Sequence, residues 1–326
     1  MSHDINITNG QASMIYHGEV PWHQMGKHFD RRLTIAEALK ESQADYTVTK
    51  WPMGYIDPAT QDLYAADSIF ATVREDTKEA LGYVGSDYVM VQNGGIGGAF
   101  NFLRPILDAK EGVIETMGVL GKGERAWALI KLPDHIIVSK KDEIGKYVLV
   151  YNGFNGKTKV RAKYTPIRVV CNNTLSMALS GVDTEVGIRH TTNVQVALDD
   201  AHRVMGMANA VSVAITPILQ RMALKNITEK QLAEYVATLI PIAKDAKRPA
   251  RPQSVRDEII RLHEVGLGAD FSRGTIWGAY NAVTEYVDHV FNGKGDLNMR
   301  LNTIWWGAGA DLKEQAFNEA VLMLKN

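Results

Sequence analysis

YVLVYNGFNGKTKVRAKY, residues 147–164, is the stretch on which the fold turns. Two runs of β-branched and aromatic residues, YVLVYN and KVRAKY, flank Asn155-Gly156, a dipeptide suited to the positive backbone angles of a tight turn. The spacing predicts a hairpin. Side chains two apart on a strand share a face, so Lys159, Arg161 and Lys163 stand in one row, with Lys157 before them and Arg168 beyond Pro166. A row of cations on an arbitrary strand is most often a solvated face or an edge guarded against aggregation. Here it belongs to a basic window: from Lys122 to Arg168 there are eleven Lys and Arg against four acids, a charge of +7 in a chain whose net charge is −1.

That window also holds Trp127, Tyr147, Tyr151, Phe154 and Tyr164. Cations that follow a phosphate backbone, beside aromatic faces that accept bases, are the ingredients of a groove for single-stranded nucleic acid. The candidate binding residues are Lys157, Lys159, Arg161, Lys163 and Arg168, with Arg125 nearby, and Tyr151 or Tyr164 to stack a base.

Working outward toward the N-terminus, VIETMGVL (113–120) and RAWALIKL (125–132) form a second hairpin around GKGE. YTVTKWPMGYI (46–56) and LYAADSIFATVR (63–74) form another, continued by LGYVGSDYVMVQ (81–92). A glycine-rich loop at 93–98 leads into an embedded helix within 95–110. Before the strands, Thr34 and Glu37 frame a capping box with Leu33 placed to pack on Ala38. Beyond Pro166 the period changes from two to 3.6. Apolar residues at 194, 197, 198, 201, 204, 205, 208, 211, 215, 218, 219 and 222 mark one stripe of a long helix, bent near Pro217. Thr228 and Gln231 cap a second helix reaching Ile240, KDAKRPARPQ (244–253) reads as a linker, and helices return at 254–263, 275–290 and 311–324.

The order predicts an α+β fold: an antiparallel, hairpin-rich sheet with an embedded helix, then a mainly helical C-terminal half. Residues 1–192 form the β-rich core with the basic hairpin, and 193–326 a helical region that packs on it or extends it. At 326 residues with 45% hydrophobic and 22% charged side chains, the chain is of globular composition. One cysteine permits no internal disulfide, and no apolar run approaches the ~20 residues of a membrane span. These features predict a cytoplasmic protein with no membrane association.

Catalytic signals are weak, and no cofactor or metal is expected. Gly156-Lys157-Thr158 lacks the earlier glycine of a phosphate loop, since Tyr151 stands at that place, and is better read as the hairpin turn. His17, His23 and His28 do not match a zinc spacing and read as structural. Cys171, with an apolar flank, reads as a buried thiol. Glu285, Asp288 and His289 are the mild candidate for a metal-dependent nuclease, although a solvated i,i+4 pair is the commoner meaning. Arg189 and His190, or the 93–98 loop, would line a pocket in a factor that binds a host protein or a signalling nucleotide. Trp305-Trp306 fits either core or a subunit contact.

PIRVVCNNTLSMAL (166–179) and GIRHT (187–191) resemble a family of phage- and plasmid-borne proteins labelled phage/plasmid-like or domain of unknown function. PWHQMG (21–26), GYVGSDYVMVQN (82–93), GERAWALIKLP (123–133) and TIWGAYNAVTEYVDH (275–289) extend the resemblance over most of the chain. The family is similar at a distance to phage single-strand annealing proteins of the Erf, RecT and Redβ type. That similarity implies a ring- or filament-forming homo-oligomer that binds single-stranded DNA and pairs complementary strands in recombination without ATP. It implies no catalytic residue.

Overall fold

The computed structural model describes residues 5–8, 10–18, 25–139, 142–168, 173–174, 183–188, 194–242, 250–291, 305 and 307–325. Strands and two short helices come first: β1 (Ile7–Thr8), β2 (Gln11–Ala12), β3 (Met14–His17), β4 (Lys27–Phe29), α1 (Ile35–Glu41), β5 (Val48–Ile56), β6 (Leu63–Arg74), β7 (Ala80–Gly85) and α2 (Leu103–Asp108). They continue as β8 (Val113–Leu120), β9 (Arg125–Ser139), β10 (Asp142–Gly153), β11 (Arg161–Tyr164), β12 (Ile167–Arg168), β13 (Asn173–Thr174) and β14 (Glu185–Gly187). Helices then dominate: α3 (Val194–Leu224), α4 (Glu229–Leu239), α5 (Ala250–Val265), α6 (Ile276–Glu285), which runs into a π-turn over Tyr286–Val290, and α7 (Ala308–Met323). The fold is α+β, as the change of period at Pro166 predicts.

Nine strands form the main sheet, in the central order β4-β3-β8-β9-β10. Both β11 and β12 pair with β10, and β14 and β13 pair with them in turn. Alternation along β10 and β11 fills two layers. Val148, Val150, Ala162 and Tyr164 point into a core shared with α1, α2 and the first half of α3. Leu149 and Tyr151 point the other way, with Trp127 and Leu129, under Ile5, Met14 and Trp305. Trp305 is therefore core, its ring 6.2 Å from that of Trp127.

The helical half has its own core around Trp277, Tyr280, Phe317 and Tyr235, joined by Ile136, Val138 and Ile144 from the far end of β9–β10. Ala201, Val204, Ala208 and Val211 of α3 serve the sheet core, while Ile215, Leu219 and Met222 serve the helical one. The expected division at 192/193 thus falls just before a helix that both cores share. Trp277 Nε1 donates to the buried Asp142 carboxylate at 2.7 Å, a second tie between the halves.

Several local expectations change. The embedded helix is only six residues, because 93–102 is taken up by turns. β7 stops at Gly85. β9 runs through Pro133 to Ser139, with Asp134 at φ +64 and a register shift opposite Gly145/Tyr147; the bulge absorbs the ladder bond that proline cannot donate. α5 begins at Ala250, so the end of the predicted linker is helical, while 243–249 lie outside the described residues. Capping boxes form at Thr34/Glu37 and at Thr228/Gln231.

β5–β7 form a separate three-stranded sheet. Its base is clamped by Arg74, whose buried guanidinium lies 4.0 Å from the Tyr46 ring, pairs with Asp76 at 2.7 Å and donates to Lys122 O. Beyond Pro52 the β5–β6 hairpin stands clear as an arm: Tyr55, Ile56, Leu63 and Tyr64 are all exposed.

Candidate functional site

The β10–β11 hairpin joins the two expected strands, with Tyr151 facing Arg161 and Leu149 facing Lys163. Its connection is longer than a two-residue turn. Asn155 Oδ1 accepts from the backbone amides of Lys157 and Thr158, both at 2.9 Å, which curls the loop into an Asx turn. Gly156 supplies the left-handed angle, φ +74. Gly153 lets the loop close, since a Cβ there would lie 2.4 Å from Thr158 Cβ. The curl carries Lys157 and Lys159 over the end of β10, beside the first residue of β9.

Arg125, Tyr151, Lys157, Thr158, Lys159 and Arg161 consequently line one open recess of about 280 Å³. Lys157 and Lys159 are exposed, and Arg125 and Arg161 half-buried. Glu185, brought in by β14, accepts from Arg161 Nη1 at 2.8 Å and from the Tyr151 hydroxyl at 3.2 Å. It holds Arg161 upright and offsets one of four positive charges. The recess keeps an excess of positive charge and a set of N–H donors of the kind that bind phosphate or carboxylate oxygens.

The remaining sequence candidates do not join them. Lys163 shares the Arg161 face but lies outside the recess lining. Arg168 pairs through its backbone with Ile144, and its side chain is outside the described residues. Tyr164 is corrected from base-stacker to core residue: it is on the opposite face, 3% exposed, with its hydroxyl 2.9 Å from Ser212 Oγ. Burial pushes that phenol up to about 12, partly opposed by the Ser212 hydrogen bond. The Tyr151 ring is also largely buried, leaving its edge to the recess. The row therefore ends in a pocket rather than a furrow along β11. Thr158 and Glu185 are the members that sequence reading missed; Thr158 was read only as part of the Gly156-Lys157-Thr158 turn, and nothing local pointed to Glu185.

Elsewhere, the other chemistry candidates have structural partners. His17 Nδ1 lies 3.0 Å from Phe29 O, and His28 packs on Tyr16; His23 lies outside the described residues. The Glu285 carboxylate accepts from Leu267 N at 3.0 Å, and Asp288 pairs with the fully buried Lys313 at 2.8 Å. Burial lowers the Lys313 ammonium, against the opposing pull of Asp288. Among the described residues no group of three or more His, Cys, Asp or Glu could hold a metal ion. In the 93–98 loop, Asn93 is spent on Ala44 O and Asn152. Cys171, Arg189, His190 and Trp306 lie outside the described residues. No helix among the described residues is long and apolar enough to cross a membrane.

Fold and recess together define an α+β protein with two cores joined by one long helix and a basic recess at the end of its main sheet. The chain belongs to a family described as Domain of unknown function (DUF932), which matches residues 80–306 and so includes the whole recess. No curated protein and no solved structure matches it.

Proposed function

We propose that the recess anchors the sugar–phosphate backbone of single-stranded DNA, and that the protein pairs complementary strands without ATP, as in phage or plasmid recombination. The observation that carries the reading is the convergence of Arg125, Lys157, Lys159 and Arg161 on one open recess in a chain of near-zero net charge. Neutralising phosphates brings together strands that otherwise repel, and the energy comes from released counterions rather than fuel. Lys163 and Arg168 lie further along the strands that pair with β10 and would act on the strand leaving the recess.

The test is a labelled oligonucleotide titrated at several salt concentrations. Four phosphate contacts on a single strand predict a log–log slope of about −2.8, a roughly fifty-fold loss of affinity between 50 and 200 mM salt. Lys157→Ala/Lys159→Ala/Arg161→Ala reduces the slope to about −0.7, whereas Lys163→Ala leaves the recess contacts in place. Affinity independent of salt, or a triple variant that binds like the parent, overturns the reading. A recess of this volume sits at the small end of ligand sites, which favours a free phosphorylated ligand as the second reading. A mononucleotide that binds as tightly as the oligonucleotide selects it. Magnesium-dependent cleavage of the strand would replace both by a nuclease.

A further inference from the structure

We infer that the β5–β6 arm is a self-association element whose acidic tip docks in the basic recess of a second copy of this chain. Single exposed apolar residues are ordinary on a protein surface; apolar cross-strand pairs exposed on both faces of one ribbon are not. On the arm they are cross-strand partners. Tyr55 stacks on Tyr64 with ring centroids 5.6 Å apart on one face of the ribbon, and on the opposite face Ile56 pairs with Leu63, which is 74% exposed, so each face presents an apolar pair to water. Folding gains nothing from keeping four such side chains in water.

Charge selects the occupant. Between Met53 and Ile69 the chain carries Asp57, Asp62 and Asp67 and no Lys or Arg. Asp62 and Asp67 are exposed. This surface repels nucleic acid and calls for a partner with positive charge. The recess supplies that charge, with four cations of which Glu185 offsets one, and its lining contains no residue of the arm. The two surfaces of one chain are thus opposite in charge and mutually complementary. Docking by an open strand edge is disfavoured, because Pro52 and the register shift at Pro52/Met53 interrupt β5, leaving the side-chain faces as the contact. Arm-to-recess contact joins two different patches, so it propagates head to tail and closes as a ring or continues as a filament. Arm carboxylates and a phosphate backbone then compete for the same cations, although the inference stands on the complementarity and not on the nucleic-acid reading.

Sedimentation velocity at low salt tests it. The parent is expected to associate, with its mass falling as salt rises. Leu63→Asp, and separately Asp62→Lys/Asp67→Lys, reduce it to the single-chain mass; these side chains are exposed, so the fold is retained. Lys157→Glu/Lys159→Glu does the same. Mixing the two charge-reversed proteins restores association, because each arm now meets a recess of opposite sign. A parent that stays single-chain overturns the inference, as does association unaltered by the arm variants or a mixture that stays dissociated. Arm variants that lose oligonucleotide binding at unchanged mass make the arm a nucleic-acid surface instead. A single-chain parent that still binds oligonucleotide with a steep salt slope sinks this inference and leaves the proposed function standing.

Discussion

β9–β10 and β5–β6 are both long antiparallel hairpins rich in branched and aromatic residues, yet the first is buried on both faces where residues 126–130 meet residues 147–153, and the second stands in water beyond Pro52. The difference lies in what reaches them. α3 covers one face of β9–β10, and the Trp305 segment covers the other. Nothing in the described chain covers the distal half of β5–β6. Strand-forming residues define a hairpin; the elements around it decide whether it becomes core or surface.

The sharpest way to break this contrast is to shorten one leucine in each hairpin. Leu149→Ala in β10, a fully buried site, should cost about 2–5 kcal/mol, while Leu63→Ala in the arm should stay within about 0.5 kcal/mol in denaturant unfolding at high salt, where the chain is single. Equal costs would mean that the arm is packed against something in solution, and their dependence on protein concentration would identify it as another copy.

The next effect is at the arm's footing. Arg74→Ala removes a buried guanidinium held by Asp76, Lys122 O and the Tyr46 ring, at a cost of about 2 kcal/mol. Amide exchange should speed up first in β5–β7 and last in β9–β10; uniform acceleration would show that the arm does not loosen separately.

The smallest is set by pH. Burial pushes the Asp76 carboxyl up, but the Arg74 hydrogen bonds and charge outweigh it and hold the group below the usual aspartate value. A depressed folded value contributes stability that is complete above the ordinary range and lost as pH falls through the lower one. Acidification below about 4 should therefore release the arm sheet before the main sheet, as followed by hydrogen exchange. Simultaneous release would remove Asp76 from the footing. The carboxylate is half in water, so the effect is screened.

Much of this organisation was legible beforehand, for physical reasons that differ by element. Capping boxes at Thr34 and Thr228 are local hydrogen-bond chemistry, and the α3 stripe repeats often enough to define a long helix. The β8–β9 hairpin is likewise written in alternating residues around GKGE. By contrast, β9 beyond Pro133 is a strand only because the far end of β10 and the helical core receive Ile136 and Val138, a long-range effect with no local trace. In the recess, parity along β11 already separates Tyr164 from the cations: even and odd positions face opposite sides. Thr158 needed the Gly153 crossing, and Glu185 arrives 24 residues after Arg161, so neither could be read from spacing.

A helix that belongs to two cores has a last consequence. Cutting the chain near residue 192 would strip Val204 and Val211 from the sheet while leaving Ile215 and Leu219 with the helices, so each fragment would inherit a wound as large as its partner's contribution. The halves are therefore expected to melt in one transition, and α3 is the beam that makes two rooms one building.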